Sequence, residues 1–203
     1  MEIRQLTTND VPAFCGLILN MYSHLENLEW FTPMPFDEEN VKTMIEKPRF
    51  YIVGCFDDDV LCGVSSLDYK CGKLTNVINF PSECDTNKLV EIAFNMVHSD
   101  YQGNGIMKTM VSYLINKIKQ NGFEWAMSKA HKNNLASLKS LQKNGFEKFC
   151  DYNKQVEIDS FKDLANQPFF SKSGKENAKR TLSKYEKDAT HIVVDYDILL
   201  KKL

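Results

Sequence analysis

The chain lacks several features that would decide its class at once. Its six cysteines, at positions 15, 55, 62, 71, 84 and 150, form no Cys-x-x-Cys pair, and no histidine pair stands near them, so no zinc-site pattern exists. The even count admits disulfides, but the expectation is reduced, mostly buried thiols. The longest apolar run, Val11 to Leu19, has nine residues and includes Pro12 and Gly16, too short to span a bilayer. The opening Met1-Glu2-Ile3-Arg4-Gln5-Leu6 has no apolar h-region, so a cytoplasmic location without a membrane partner is expected. Charge of one sign is not in excess either. The 25 Lys and Arg against 27 Asp and Glu leave a net charge of −2, and a pI near 6.1. No global field favours nucleic acid. Internal repeats and low-complexity tracts are missing. What remains is 203 residues, 43% hydrophobic and 26% charged, enough to bury a core within one large domain.

Patterning supplies the elements. Ile3 to Leu6 reads as a strand, and Phe14, Leu17, Ile18 and Met21 follow at helical spacing. Trp30 to Phe36 is a loop with two prolines and three aromatics. Asp37 caps a helix bearing Val41, Met44 and Ile45, ended by Pro48. Phe50–Phe56 and Val60–Leu67 flank Asp57-Asp58-Asp59 as a hairpin. Lys70 to Asn87 is less regular, and Leu89 to Val97 is a strong strand. Ile106, Met107, Met110, Val111, Leu114, Ile115 and Ile118 mark the clearest helix, closed by Asn121-Gly122. A strand at Phe123 to Ala130 comes next. Asn133-Asn134 then caps a helix carrying Leu135, Leu138 and Leu141. A strand begins at Phe146, and Thr190 to Leu200 forms the last one. Residues 160–188, with seven basic against four acidic side chains, read as a polar basic insert. The order β-α-α-β-β-β-α-β-α-β-insert-β implies a mixed sheet with helices on its faces, one α/β or α+β domain over 1–203.

The chemistry concentrates at Gln102-Gly103-Asn104-Gly105, between the strong strand and the strong helix. Glycines let the backbone turn so that several N–H groups face one point. The helix start adds unpaired donors and a positive dipole end. Together they make a cradle for a phosphate or diphosphate. A dinucleotide fingerprint would need a third glycine where Lys108 stands, and a P-loop would need Gly-Lys-Ser/Thr where the chain has Met107-Lys108-Thr109.

Val90 to Val97 followed by Gln102-Gly103-Asn104-Gly105-Ile106 resembles motif A of the GCN5-related N-acetyltransferase (GNAT) family, whose pattern is Arg/Gln-x-x-Gly-x-Gly/Ala. Gln102 and Gly105 match its first two fixed positions, and Met107 departs from the third. Asn134, Ser137 and Lys143-Asn144-Gly145-Phe146 resemble the family's Asn-x-x-Ala/Ser and Lys-x-Gly-Phe block, about thirty residues on, as helix and strand lengths require. The opening Ile3 to Leu6 with Asp10 is similar to the family's first strand and helix. The resemblance covers roughly 1–150 plus the last strand.

The resemblance implies a mostly antiparallel mixed sheet with splayed fourth and fifth strands. It also implies transfer of an acetyl group from acetyl-CoA, as cosubstrate and without a metal, to an amine of a small molecule or peptide. By the same analogy the main chain of Met96 and Val97 holds pantetheine, and Gln102 through Met107 hold the pyrophosphate. Asn134 contacts the cofactor arm, Ser137 belongs to the same cofactor-binding set, and the Asn95 N–H serves as a small oxyanion hole. An alkylammonium with a pKa of about 10.4 must lose a proton before it attacks. Glu91 occupies the strand position used as base in the family's histone-acetylating subgroup, with His98 as runner-up. A regular period of two puts Glu91, Asn95 and Val97 on one face unless a bulge intervenes. His131, in a turn, has a surface role as its default. Leu141 replaces the tyrosine that commonly protonates the leaving thiolate, leaving water, Tyr101 or Tyr152. Trp30, Phe31 and Phe36 form an apolar wall for the acceptor or pack on the sheet edge. The alternative reading is a non-catalytic acyl-CoA sensor, motivated by Leu141 and Met107. A homodimer is compatible with the sequence, and nucleic-acid binding is not favoured.

Overall fold

Local signals set each element before packing confirms it. The computed structural model describes residues 1–25, 27–31, 34, 37–157, 162, 175–176, 179–180, 182–184 and 191–203. Phe36 and most of the 160–188 insert therefore lie outside the described residues. β1 (Glu2–Gln5) leads through a short 3-10 turn into α1 (Val11–His24). Asp10 locks this junction. Its carboxylate accepts from the Thr7 N–H at 2.8 Å and from both Arg4 terminal nitrogens at 2.9 and 2.7 Å. α1 buries Phe14, Leu17, Ile18 and Met21, the stripe read from the sequence. Asp37 caps α2 (Glu38–Glu46) by accepting from the Asn40 N–H at 3.0 Å.

β2 (Phe50–Asp57) and β3 (Val60–Asp68) form the expected hairpin. The irregular stretch after it holds two 3-10 turns, Cys71–Asn76 and Thr86–Lys88. β4 (Leu89–Val97) precedes the glycine loop and α3 (Ile106–Gln120). α3 buries Ile106, Met110, Val111, Leu114, Ile115 and Ile118. At ~1.5–3 kcal/mol each, that burial outweighs the weak intrinsic stability of an isolated helix of this length. β5 (Trp125–His131) starts two residues later than the sequence suggests, because the Phe123 N–H closes α3 on the Ile118 carbonyl at 3.2 Å. α4 (Leu135–Gln142), β6 (Glu147–Glu157) and β7 (His191–Lys202) complete the order.

The seven strands run β1-β2-β3-β4-β5-β7-β6. All neighbours are antiparallel except β4 and β5. One apolar cluster fills the side covered by α1 and α2, and another lies under α3 and α4. All six cysteines are free, five of them buried. No helix among the described residues is long and apolar enough to cross a membrane.

Candidate functional site

β4 carries the site because its pairing fails twice. Towards β5 it pairs only at Leu89, Val90 and Glu91, so the two parallel strands part beyond that point. The Ser128 hydroxyl donates to the Ile92 carbonyl at 2.8 Å and fills the fork. Towards β3 the register slips between Val64 and Ser66, opposite Ala93 to Met96, and Phe94 takes φ of 52°. This bulge is held by two buried serines. Ser66 Oγ donates to the Ala93 carbonyl at 3.2 Å, and Ser65 Oγ to Asn95 Oδ1 at 2.6 Å. The extra residue reverses the alternation beyond it. Met96 enters the α1-side core, while Val97 packs towards Ile106 and Met110 on the α3 side. The expectation that Glu91, Asn95 and Val97 share one face is thus corrected by the bulge.

The glycine loop follows. The His98 N–H donates to the Cys62 carbonyl at 2.9 Å, and Asn20 of α1 clamps Ser99 twice. Asn20 Oδ1 accepts from the Ser99 N–H at 2.9 Å, and its Nδ2 donates to Ser99 Oγ at 3.1 Å. The Gln102 N–H is spent on the Ser99 carbonyl and the Thr109 N–H on the Gly105 carbonyl. Between them, the N–H groups of residues 103–108 have no protein partner among the described residues. Gly103 and Gly105 adopt φ of 83° and 75°, and a Cβ on either would project into open space rather than into protein. Glycine is needed there for the backbone turn, and the turn leaves an exposed row of donors at the start of α3. Gly63 lets this helix start sit close: a Cβ there would come within 2.9 Å of Ile106 and Met110. Met107 packs against the core under α3. Its departure from the family pattern therefore alters helix packing rather than filling the loop mouth. The Gln102 amide donates to the Val97 carbonyl at 3.4 Å, and the Asn104 amide to the Tyr101 carbonyl at 3.3 Å.

At the fork a cavity of about 230 Å³ opens. Glu91, Asn95, Asn134, Ser137, Trp30 and Phe31 all line it. Asn134 caps α4 through its Oδ1, which accepts from the Ser137 N–H at 3.1 Å. Glu91 is 1% exposed, and its Oε1 accepts from Lys129 Nζ at 2.6 Å. Its Oε2 is buried without a partner among the described residues.

Three lining residues were not singled out for this role by the sequence: Lys129, His131 and Tyr196. Burial pulls the Lys129 ammonium down, but the Glu91 charge and hydrogen bond outweigh it and hold it above its ordinary value. His131 is 6% exposed rather than a surface residue. Burial pushes its imidazole below the usual range, against the opposing pull of Glu29 and Asp195. Its Nδ1 accepts from the Asn133 N–H at 3.1 Å, and its ring lies 6.4 Å from that of Trp30 and 6.2 Å from that of Tyr196. His98, by contrast, sits outside the cavity lining and caps the turn before the loop by accepting from the Asp100 N–H. Leu141 is fully buried under α3 and α4. Tyr101 packs beside Ile106 and Met110, and Tyr152 between two core clusters.

Comparison with known proteins gives the family and the fold. Residues 1–147 match the family model described as an acetyltransferase (GNAT) domain. A search of curated proteins finds no significant match. Among solved structures, the ribosomal-protein-alanine N-acetyltransferase from Brucella melitensis is similar over 100% of both chains, with TM-score 0.65 and 17% identity. The yncA protein from Salmonella typhimurium, solved with its cofactor acetyl-CoA, is similar over 100% of this chain and 94% of its own (TM-score 0.64, 16% identity). An N-acetyltransferase from Staphylococcus aureus Mu50 covers 99% of this chain and 97% of its own, with TM-score 0.63 and 15% identity.

Proposed function

Because the chain belongs to the GNAT acetyltransferase family, we propose that it is an acetyl-CoA-dependent N-acetyltransferase acting on a primary amine of a small molecule or peptide. The observation that carries this reading is the row of N–H groups at residues 103–108 that have no protein partner among the described residues, on the loop that follows the strand whose Glu91 is a buried carboxylate lining the cavity. Such a row fits a diphosphate and leaves the glycines' open side free for it. When bound, acetyl-CoA supplies the acetyl group as a thioester and leaves as the free thiol.

The chain's own residues divide the remaining work. The N–H groups of Gly103 through Lys108 hold the diphosphate, while Gln102 braces the loop through its own bonds to Ser99 and Val97. The main chain of Met96 and Val97 holds the pantetheine arm along the β4 edge that β5 has left, and Asn134 and Ser137 flank it. The Asn95 N–H is the donor for charge developing on the carbonyl oxygen. Glu91 takes one proton from the acceptor ammonium. The neutral nitrogen then bonds to the acetyl carbon as the carbon–sulfur bond breaks, and its second proton ends on the leaving sulfur. With Leu141 in the core, the phenol that lines the cavity is Tyr196. Trp30, Phe31, Met34, Met44 and Phe94 make the wall largely apolar, which suits an amine carried on an apolar or aromatic body.

Release of free thiol from acetyl-CoA, followed across a panel of primary amines, tests the reading. Turnover that needs an amine and collapses in Glu91→Gln is the expected result. Tight acetyl-CoA binding without thiol release from any amine would instead favour the sensor, for which Leu141 speaks. Absence of acetyl-CoA binding would overturn both.

A further inference from the structure

Glu91 is one member of a larger group of charges. In register beside it on β3 stands Asp68, 4% exposed and bound in two-pronged fashion by Arg49, with Nε–Oδ1 at 2.7 Å and Nη2–Oδ2 at 2.5 Å. The Arg49 charge also acts on Glu91. Glu91 pairs with Lys129, from β5, at 2.6 Å on one oxygen, while the other oxygen has no partner among the described residues. The remaining titratable groups around the pair are Cys71, Tyr196, His131 and Lys154. Cys71 is pushed up to about 12 by burial and by the Glu91 charge. Tyr196 acts on Lys129 from β7, and His131, next but one along β5, also lines the cavity. Lys154, from β6, is pulled below its ordinary value by burial and by Lys129.

A buried carboxylate without a fixed cation has two ways to fail as a base. It can take up a proton from solvent and have no room for another. Or it can hold the incoming ammonium as an ion pair, which keeps the nitrogen lone pair bonded to hydrogen. A lysine fixed on the carboxylate blocks the second, because its charge repels another cation at the same site.

Resting on the function proposed above, we propose that Lys129 is a positioning residue of the acceptor site: its ammonium occupies Glu91 Oε1 so that Oε2 stays free to take the acceptor's proton and the amine is held neutral. The step balances. The ammonium loses one proton to Oε2, Glu91 later returns it to solvent, and Lys129 keeps its own throughout. Removing Lys129 therefore moves the alkaline requirement upward, since Glu91 without this ammonium on Oε1 stabilises the protonated amine.

The test is the pH profile of thiol release from acetyl-CoA, between about pH 6 and about pH 10, with an amine that turns over. Wild type, Lys129→Met and Lys129→Arg are compared, each with its melting temperature. The ascending limb is expected to move up by at least about one pH unit in Lys129→Met, with turnover at neutral pH down roughly tenfold, as removal of a near unit charge dictates. Lys129→Arg keeps the limb in place. A limb that stays put in folded Lys129→Met, with only the melting temperature reduced, overturns the proposal and leaves Lys129 a structural ion-pair partner. Should the methionine variant fail to fold, the same limb read in Lys129→Gln decides. A wild type that binds acetyl-CoA but acetylates no amine would fail at the earlier step, in the proposed function itself.

Discussion

The glycine loop and the proposed acceptor cavity are built in opposite ways. The loop is a backbone device: six successive N–H groups, at residues 103–108, are left over by a left-handed turn into α3, and hardly any side chain takes part. The cavity is a side-chain device. Its polar members come from β4 (Glu91, Asn95), β5 (Lys129, His131), α4 (Asn134, Ser137) and β7 (Tyr196). A backbone device tolerates most side-chain changes and fails when its dihedrals fail. A side-chain device keeps its shape under backbone-neutral changes and loses its chemistry one residue at a time.

Variants in the two regions should therefore separate binding from turnover. The largest effect belongs to the cavity. Glu91→Gln is expected to lower kcat by about 100- to 10,000-fold, the range for loss of a general base, while calorimetry finds acetyl-CoA affinity unchanged. Next comes Gly105→Val, which places a β-branched side chain at φ of 75°. The strain, of order 1–3 kcal/mol, should raise the acetyl-CoA Kd by about tenfold or more and leave the cavity intact. If Gly105→Val lowered kcat at saturating acetyl-CoA instead, the division between the regions would break. Asn20→Ala sharpens the same division from a distance. It removes two hydrogen bonds to Ser99, worth about 1–2 kcal/mol together, and should weaken acetyl-CoA several-fold with kcat unchanged.

The smallest effect lies outside both regions. The Arg4 hydrogen bonds and those from Thr7, against the opposing cost of burial, hold the Asp10 carboxyl at about 2, below its ordinary 3.8. A carboxyl lowered on folding stabilises the fold fully above its ordinary value. That contribution fades as pH falls from about 4 to about 2. With Arg4 40% exposed, about 1–2 kcal/mol is at stake. Denaturant melts at pH 6 and pH 3 should show that loss in wild type and not in Asp10→Asn.

The same contrast explains what could be read without coordinates. The loop, β4, α3 and α4 are contiguous stretches, so composition and period exposed them, and residue types at short range suffice to predict a turn with spare donors. Glu91 and Asn95 came with the strand. Lys129 did not, because its partner lies 38 positions away and the two meet only once β4 and β5 are parallel neighbours. A signal was present: a single charge within the otherwise uncharged Trp125-Ala126-Met127-Ser128-Lys129-Ala130. Ser65-Ser66, fully buried in β3, marked the bulge in the same way. Without the bulge, period two misplaced Val97. Tyr196 lies within the last strand read from the sequence, Thr190 to Leu200, and the topology that slots β7 between β5 and β6 is what brings it to the cavity. His131 looked like a turn residue until Trp30 and Tyr196 closed over it.

Amide chemical shifts of residues 103–108, followed by NMR as acetyl-CoA is added, test the central claim most directly. If these N–H groups take the diphosphate, the amides of Gly103 to Lys108 shift downfield together and slow in hydrogen exchange, at a concentration matching the calorimetric Kd. If acetyl-CoA binds while those amides stay where they were, the cradle is not a cradle, and the role proposed for the cavity falls with it.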